Sequence, residues 1–146
     1  MEKLTREEAI RRHRLMWNWI ADETERTHKP VTKIDAFDHF GWDEKTLSRC
    51  WCCEYAYEER LRLKPFIIKT LCDLCPLDWS QGDGDVIKSR CVGYSDEHIF
   101  FHIGLFEEWV NSSGLCNVNF SFDQERFVSL ARTIANLPEK KEECNV

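Results

Sequence analysis

The sequence lacks any uninterrupted apolar run of the roughly 18 residues that a membrane-spanning helix needs. Its first ten residues are mixed and charged, so they lack the apolar core of a secretory leader. The sequence also contains neither a phosphate-binding glycine loop nor the G-x-S-x-G turn of serine hydrolases. These absences disfavour a membrane protein, a secreted protein and an enzyme, and we expect a cytoplasmic protein without catalytic activity.

An excess of positive charge is missing as well. The chain has 20 lysines and arginines against 26 acidic residues, a formal net charge of −6. This balance disfavours a strong, purely electrostatic hold on DNA or RNA, because such binders carry basic surfaces. The most basic local stretch contains Arg60, Arg62 and Lys64, and aspartates between residues 73 and 85 offset its charge. These three residues are candidates for nucleic-acid binding, but a solvated face is the favoured interpretation.

The length of 146 residues predicts one domain, over residues 1–138, followed by a charged flexible tail over 139–146. Thr5 and Glu8 have the spacing of a capping box, which predicts a helix from about Arg6 to about Thr27. Apolar residues recur within it at intervals of three and four and form one stripe. The stripe contains Ala9, Ile10, His13, Met16, Trp17 and Ile20.

Further helices are predicted along the chain. A brief one around Phe37 ends at Gly41, another follows an N-cap at Asp43, and residues 54–71 begin helical and break at Pro65. The last helix is predicted to follow an N-cap at Ser121 and to end before residue 138. The apolar stretch 96–110 is interpreted as a mostly buried helix followed by a turn over 111–114. Periodicity alone leaves a strand over 99–103 open.

The eight cysteines carry the clearest chemical signal. In a cytosolic chain they indicate metal or redox chemistry rather than a disulfide framework. Cys50, Cys53, Cys72 and Cys75 form the pattern C-x2-C-x18-C-x2-C, whose spacing is typical of a zinc site. Four thiolates complete the tetrahedron that Zn²⁺ prefers and leave no position for substrate. The sequence therefore predicts one structural zinc ion.

Other ligand sets stay open. Cys52 can replace Cys50 or Cys53 at the cost of the two-residue spacing, and Cys91 can replace one member of the second pair. Four thiolates also hold iron–sulfur clusters. A thioredoxin-like redox role for Cys72 and Cys75 lacks the required strand and helix context.

Two histidines form a weaker candidate. His98 and His102 are spaced i, i+4, which can place two imidazoles on one helical face. They permit a second metal site, with Cys91 and Cys116, or a zinc-dependent nuclease. The glutamate that follows the first histidine in zinc proteases is absent. Two polar positions on a buried helix are the favoured interpretation.

Four segments occur in an order that resembles a group of small uncharacterised proteins from phages and prophages of Gram-positive bacteria. They read WNWIADE over 17–23, CWCCEYA over 50–56, CDLCPLDW over 72–79 and ARTIANLP over 131–138. The matching segments cover about a quarter of the chain and span it from end to end. The resemblance implies a cysteine-ligated metal and a phage source, hence the cytoplasm of a bacterial host, and it implies no activity.

Taken together, these patterns predict a mainly α domain. Long N-terminal and C-terminal helices are expected to pack around a central segment that a four-cysteine zinc site clamps. The expected function is interaction with a host or phage protein, such as inhibition of a host defence or gene-expression factor. The alternatives are a nucleic-acid-binding zinc module that uses Arg60, Arg62 and Lys64, and a zinc-dependent nuclease.

Overall fold

A computed structural model describes residues 3–43, 50–63, 74–79, 105–115 and 121–141. These residues form α1 (Arg6–Thr27), α2 (Lys33–Phe40), α3 (Trp51–Leu63), α4 (Leu105–Ser112) and α5 (Gln124–Ala135). Within these ranges there is no strand, and the β pairing is limited to an antiparallel bridge between Leu77 and Glu139. The prediction of a mainly helical chain is confirmed.

Helix α1 has the bounds that its sequence predicts. The Thr5 hydroxyl accepts a hydrogen bond from the Glu8 backbone N–H at 3.1 Å and satisfies one of the open donors of the first turn. The helix ends at His28, whose φ of 57° is left-handed and whose N–H donates to the Thr24 carbonyl. All six residues of the predicted stripe are buried. The stripe thus forms the face on which the rest of the chain packs.

Helix α2 is also as predicted. Thr32 and Asp35 form a full capping box at its start, in which each side chain bonds the other residue's backbone. Gly41 ends the helix at a φ of 69°, a left-handed conformation that glycine adopts without steric cost. Within the helix, Phe37 is buried in the core.

The predicted start of the last helix is wrong by two residues. The N-cap is Asp123 and not Ser121, because the Asp123 carboxylate accepts the Arg126 backbone N–H at 3.1 Å. The Asp123 N–H also donates to the Ser112 carbonyl at 2.9 Å, which fixes the cap against the end of α4. The predicted turn at 111–114 begins later than expected, since α4 continues through Ser112. The helical end before residue 138 is confirmed by the end of α5 at Ala135.

The centre of the core lies where α1, α4 and α5 meet. Trp17 of α1 is fully buried and meets the Trp109 ring of α4 edge to face, with centroids 4.7 Å apart. Trp109 in turn packs against Phe127 of α5 at 4.9 Å. Large aromatic surfaces buried in this way dominate the stability of a small core. Aromatic side chains of α4 and α5 therefore pack on the apolar face of α1.

A second aromatic group joins α2 to the start of α3. Phe37 stacks on Trp51 with centroids 5.6 Å apart, and Trp42 meets Trp51 edge to face. The guanidinium of Arg12 on α1 lies 4.6 Å from the centroid of the Trp51 ring. This cation–π contact and the ring stack place the first turn of α3 against α1.

Helix α3 begins at Trp51, three residues before the helical start that the sequence suggests, and ends at Leu63, two residues before Pro65. The helix predicted from Asp43 into Cys50 falls on 44–49, and most of the predicted stretch 96–110 falls on 96–104. Both lie outside the described residues. No helix in the part of the chain that the structure describes is long and apolar enough to cross a bilayer.

Candidate metal centre

Cys50 is positioned by the first turn of α3. Its carbonyl accepts the Glu54 N–H at 3.0 Å, so Cys50 occupies the N-cap position. The Cys53 backbone N–H donates to the Cys50 sulfur at 3.3 Å, as a serine or aspartate oxygen would accept at a cap. A backbone N–H directed at a sulfur helps to stabilise its thiolate, the form that binds a metal, although Cys53 and burial raise the pKa of Cys50 overall. The C-x2-C spacing thus produces a local turn suited to a ligand.

Cys52 faces α1 from the same turn. Its side chain is fully buried, and its sulfur lies 3.9 Å from the Ala9 carbonyl oxygen. Burial and a hydrogen bond with Cys75 raise the pKa of Cys52 well above its usual value, with the Cys75 contact the larger cause. Cys52 is therefore a neutral thiol, and it hydrogen bonds the Cys75 sulfur.

Cys75 is the described member of the second predicted cysteine pair. It lies in the segment 74–79, near the first turn of α3. Cys75, Leu77 and Trp79 are buried. The Lys140 N–H donates to the Pro76 carbonyl at 2.8 Å, and the Asp78 N–H donates to the Pro138 carbonyl at the same distance. Residues 139 and 140, which the sequence assigns to a charged tail, thus pair with the cysteine segment.

The Cys75 thiol has a favourable environment for its ionised form. A hydrogen bond from Cys52 lowers its pKa to about 6, and further hydrogen bonds from the Leu77 N–H and the Trp79 side chain act in the same direction against burial. Donors that converge on one sulfur stabilise its thiolate. Cys75 is the described cysteine best prepared to bind a cation.

Cys50 and Cys53 form the second thiol pair. The hydrogen bond with Cys53 is the largest cause that raises the pKa of Cys50, followed by burial, while the His13 ring lowers it. Two thiols this close share one proton readily but resist carrying two negative charges without a cation. A divalent metal ion would offset these negative charges and allow both thiols to ionise.

The structure therefore places three of the four predicted ligands in one region as members of two thiol pairs. Cys50 is paired with Cys53, and Cys75 is paired with Cys52, the cysteine that the sequence kept as an alternative ligand. Cys72 lies outside the described residues. Across residues 3–43, 50–63, 74–79, 105–115 and 121–141, no three His, Cys, Asp or Glu side chains are arranged to hold a metal ion. A metal would have to draw the pairs together.

The remaining candidates fall into two groups. His98, His102, Cys91, Cys116 and Lys64 lie outside the described residues. Arg60 and Arg62 are exposed on the last turn of α3. The Arg62 guanidinium lies 2.7 Å from the Glu59 carboxylate, which neutralises much of its charge toward a phosphate. The ion pair therefore reduces the positive charge that Arg62 can offer to a nucleic acid, compared with what the sequence suggests.

His13 is the residue of this region that the sequence did not single out for chemistry. It is fully buried on α1, and its ring meets Trp79 edge to face with centroids 6.1 Å apart. The sequence placed it on the buried stripe as one more core position. A histidine on an otherwise apolar stripe was the signal available, because burial of a polar ring requires partners.

Comparison with known proteins gives no family for this chain. No protein-family model matches the sequence, and neither a curated protein nor a solved structure matches it.

Proposed function

We propose that this chain is a small phage-type zinc-binding protein that acts through protein–protein interaction. The observation that carries the zinc proposal is the turn at the start of α3, where Cys50 and Cys53 follow the C-x2-C spacing and the Cys53 N–H donates to the Cys50 sulfur. Cys75 is buried in the same core, against which Cys50 packs. Spacing assigns the fourth position to Cys72. A zinc ion would offset the mutual repulsion of these thiolates and link α3 to residues 74–79.

A structural role suits this ion better than a catalytic one. Four protein ligands leave no coordination position for water or substrate. A zinc ion bound by residues of both segments would cross-link α3 to residues 74–79 and contribute to the folding free energy.

Charge and exposed apolar side chains support the interaction part of the proposal. The net charge of −6 suits a basic surface on a protein partner better than a nucleic acid. Ile34 is 54% exposed and Leu115 is 62% exposed, and both line an apolar cavity of about 420 Å³ between α2 and α4. Exposed apolar surface of this kind favours protein contacts. A host protein of defence or gene expression is the partner class we propose.

The zinc proposal is tested by the metal content of purified protein. We expect one zinc per chain in the wild type and none in Cys50→Ser combined with Cys53→Ser. Cys52→Ala is the matched control, because it removes a buried thiol of the same turn that the proposed ligand set does not include. Absence of zinc from a folded wild-type protein would refute the proposal.

The interaction proposal is tested separately by a tagged pull-down from bacterial cytosol, with and without nuclease. We expect one stoichiometric host protein to remain after nuclease treatment. That complex should weaken when Ile34→Lys is introduced and persist with Lys29→Glu, a change at an exposed residue near the same helix. Recovery of nucleic acid, or of proteins that vanish with nuclease, would support the nucleic-acid alternative instead.

A further inference from the structure

The outward face of α1 carries a groove with apolar side chains in it. Leu15 is 40% exposed, and Trp19, one helical turn later, is only half-buried. Both line a groove of about 620 Å³ along α1. This groove shares no lining residue with the cavity of Ile34 and Leu115, so it is a separate surface. Exposed apolar area on a helix that is otherwise well packed indicates a contact with another molecule.

Charged residues follow one another along this face with alternating sign. Glu7, Arg11, Asp22 and Arg26 are all exposed. Their spacings of four, eleven and four residues are close to whole helical turns, so they share one face of α1. From the N-terminal end the signs are negative, positive, negative and positive. Taken from the other end the order is reversed, so each charge would meet its opposite on an antiparallel copy of the same helix.

The centre of the charge pattern lies between residues 16 and 17 and is flanked by groups that suit a contact. Leu15 and Asn18 lie on either side of this point, and Arg14 and Trp19 lie just beyond them. In an antiparallel pair of α1 helices, Arg14 would approach the partner's Trp19, and a guanidinium over an indole ring is a favourable cation–π contact. Leu15 would lose its exposure to water. The arrangement has the apolar middle and polar rim of a protein interface.

The two arginines of the pattern keep donors for a second carboxylate. Each already donates through Nε and one terminal nitrogen to a glutamate three residues earlier on α1, Arg11 to Glu8 and Arg26 to Glu23. A guanidinium has five N–H donors, so these bonds do not exhaust it. Both arginines can therefore bind a carboxylate of another molecule without breaking the bonds within α1.

The carboxylates on the C-terminal half of the face share one partner. The Arg132 guanidinium donates to Asp22 at 2.9 Å and to Glu25 at 2.8 Å. A carboxylate has about four acceptor sites, so Asp22 can accept a second guanidinium. Glu25 would face the partner's Glu8, which is a like-charge contact. Arg132 at Glu25 and Arg11 at Glu8 offset most of that repulsion within each copy.

We propose that this face of α1 is the interface of a symmetric homodimer, in which the α1 helices of two copies pack antiparallel. A two-fold axis beside residues 16 and 17 makes each contact occur twice. Arg11 pairs with the partner's Asp22, and Glu7 pairs with the partner's Arg26. These pairs bracket about 29 Å of helix at a rise of 1.5 Å per residue. A second copy is the occupant because the charge pattern is complementary to itself.

The test is analytical ultracentrifugation of the full-length protein over a range of concentrations. We expect the wild type to be in monomer–dimer equilibrium, with a dimer that weakens as salt is raised because its outer contacts are exposed ion pairs. Arg11→Asp and Asp22→Arg should each raise the dissociation constant of the dimer at least about tenfold, since by symmetry each creates two like-charge contacts. Their combination should restore the dimer, because it reverses the pairs without removing them. Arg60→Asp, the same change at an exposed position of α3, is the control and should leave the dimer intact.

Three results would overturn the proposal. The first is a wild type that is monomeric at every concentration, and the second is a dimer that neither single charge reversal weakens. The third is a combined variant that is folded by circular dichroism but stays monomeric. If the wild type is monomeric and Leu15→Glu abolishes capture of a host protein, the face binds that host protein and not a second copy. The outcome does not depend on bound zinc.

Discussion

Two sides of α1 are held by different chemistry. Toward α4 and α5, Trp17 packs among aromatic rings, with Trp109 at 4.7 Å. Toward α3 and residues 74–79, the rings of Trp51 and Trp79 lie beside buried thiols and beside His13, whose Nδ1 has no hydrogen-bond partner among the described residues. The first side gains its free energy from apolar burial, which needs no partner outside the chain. The second side buries polar groups, which contribute stability only when each has a partner. The aromatic side and the thiol side of α1 should therefore respond differently to mutation and to metal.

The largest expected effect lies on the aromatic side. Phe127 is fully buried and packs against Trp109 at 4.9 Å, so Phe127→Ala should lower the free energy of unfolding by about 3–5 kcal/mol. Denaturant titration measures this loss. Ser129→Ala, at an exposed position on the same helix, is the control and should change little. Zinc content of folded Phe127→Ala should stay at the wild-type value; a loss would show that the two sides are not independent.

Removal of the metal should act on the thiol side alone. At a zinc concentration about 1,000 times the dissociation constant, binding contributes about 4 kcal/mol to the free energy of unfolding. A chelator should therefore lower the melting temperature by roughly 10 °C, as followed by thermal denaturation. The variant that combines Cys50→Ser with Cys53→Ser should show no response to the chelator. Equal melting of wild type with and without chelator would contradict a stabilising metal.

The corrected cap of α5 gives a third, smaller effect. Asp123→Ala should lower the free energy of unfolding by about 1 kcal/mol, because it removes the acceptor of the Arg126 N–H. Ser121→Ala, at the position that the sequence predicts, should have almost no effect. Denaturant midpoints of the two variants distinguish the assignments, and a larger loss for Ser121→Ala would restore the original one.

The smallest expected effect is the acid dependence due to Glu8. Hydrogen bonds with Arg11 and then Arg12 lower the pKa of this carboxylate to about 2 from 4.5. Because the folded-state pKa is lowered, the stabilisation is complete above about pH 4.5 and is lost as the pH falls through about 2. Solvent screening limits it to roughly 0.5 kcal/mol. Glu8→Gln should remove this part of the pH dependence in urea titrations between those values, whereas Glu7→Gln, a control in the same exposed turn, should retain it.

The fold was predictable where one rule applied at a time. The bounds of α1 follow from a capping residue, Thr5, and from a stripe with a helical period. The start of α5 was not, because Ser121 and Asp123 are both good caps and the choice depends on the contact between Asp123 and the Ser112 carbonyl. A hydrogen bond to another helix leaves no pattern in the local sequence.

The sequence predicted which cysteines would be candidate ligands but not how the described thiols pair. Spacing identified Cys50 and Cys53 as one pair of candidate ligands, and the Cys53 N–H donates to the Cys50 sulfur at 3.3 Å. Spacing could not place Cys52 beside Cys75, because that contact joins two segments that are far apart in the chain. It could not reveal His13 either, since the role of a histidine on an apolar stripe depends on whether its second nitrogen finds a partner.

Native mass spectrometry of the wild-type protein tests the central claim most directly, because it counts the metal ions bound to each folded chain. The account predicts a single species that carries one zinc ion per chain. It also predicts that this species disappears when Cys50→Ser and Cys53→Ser are combined. A folded wild-type chain found only at its apoprotein mass, after purification with zinc present, would contradict it.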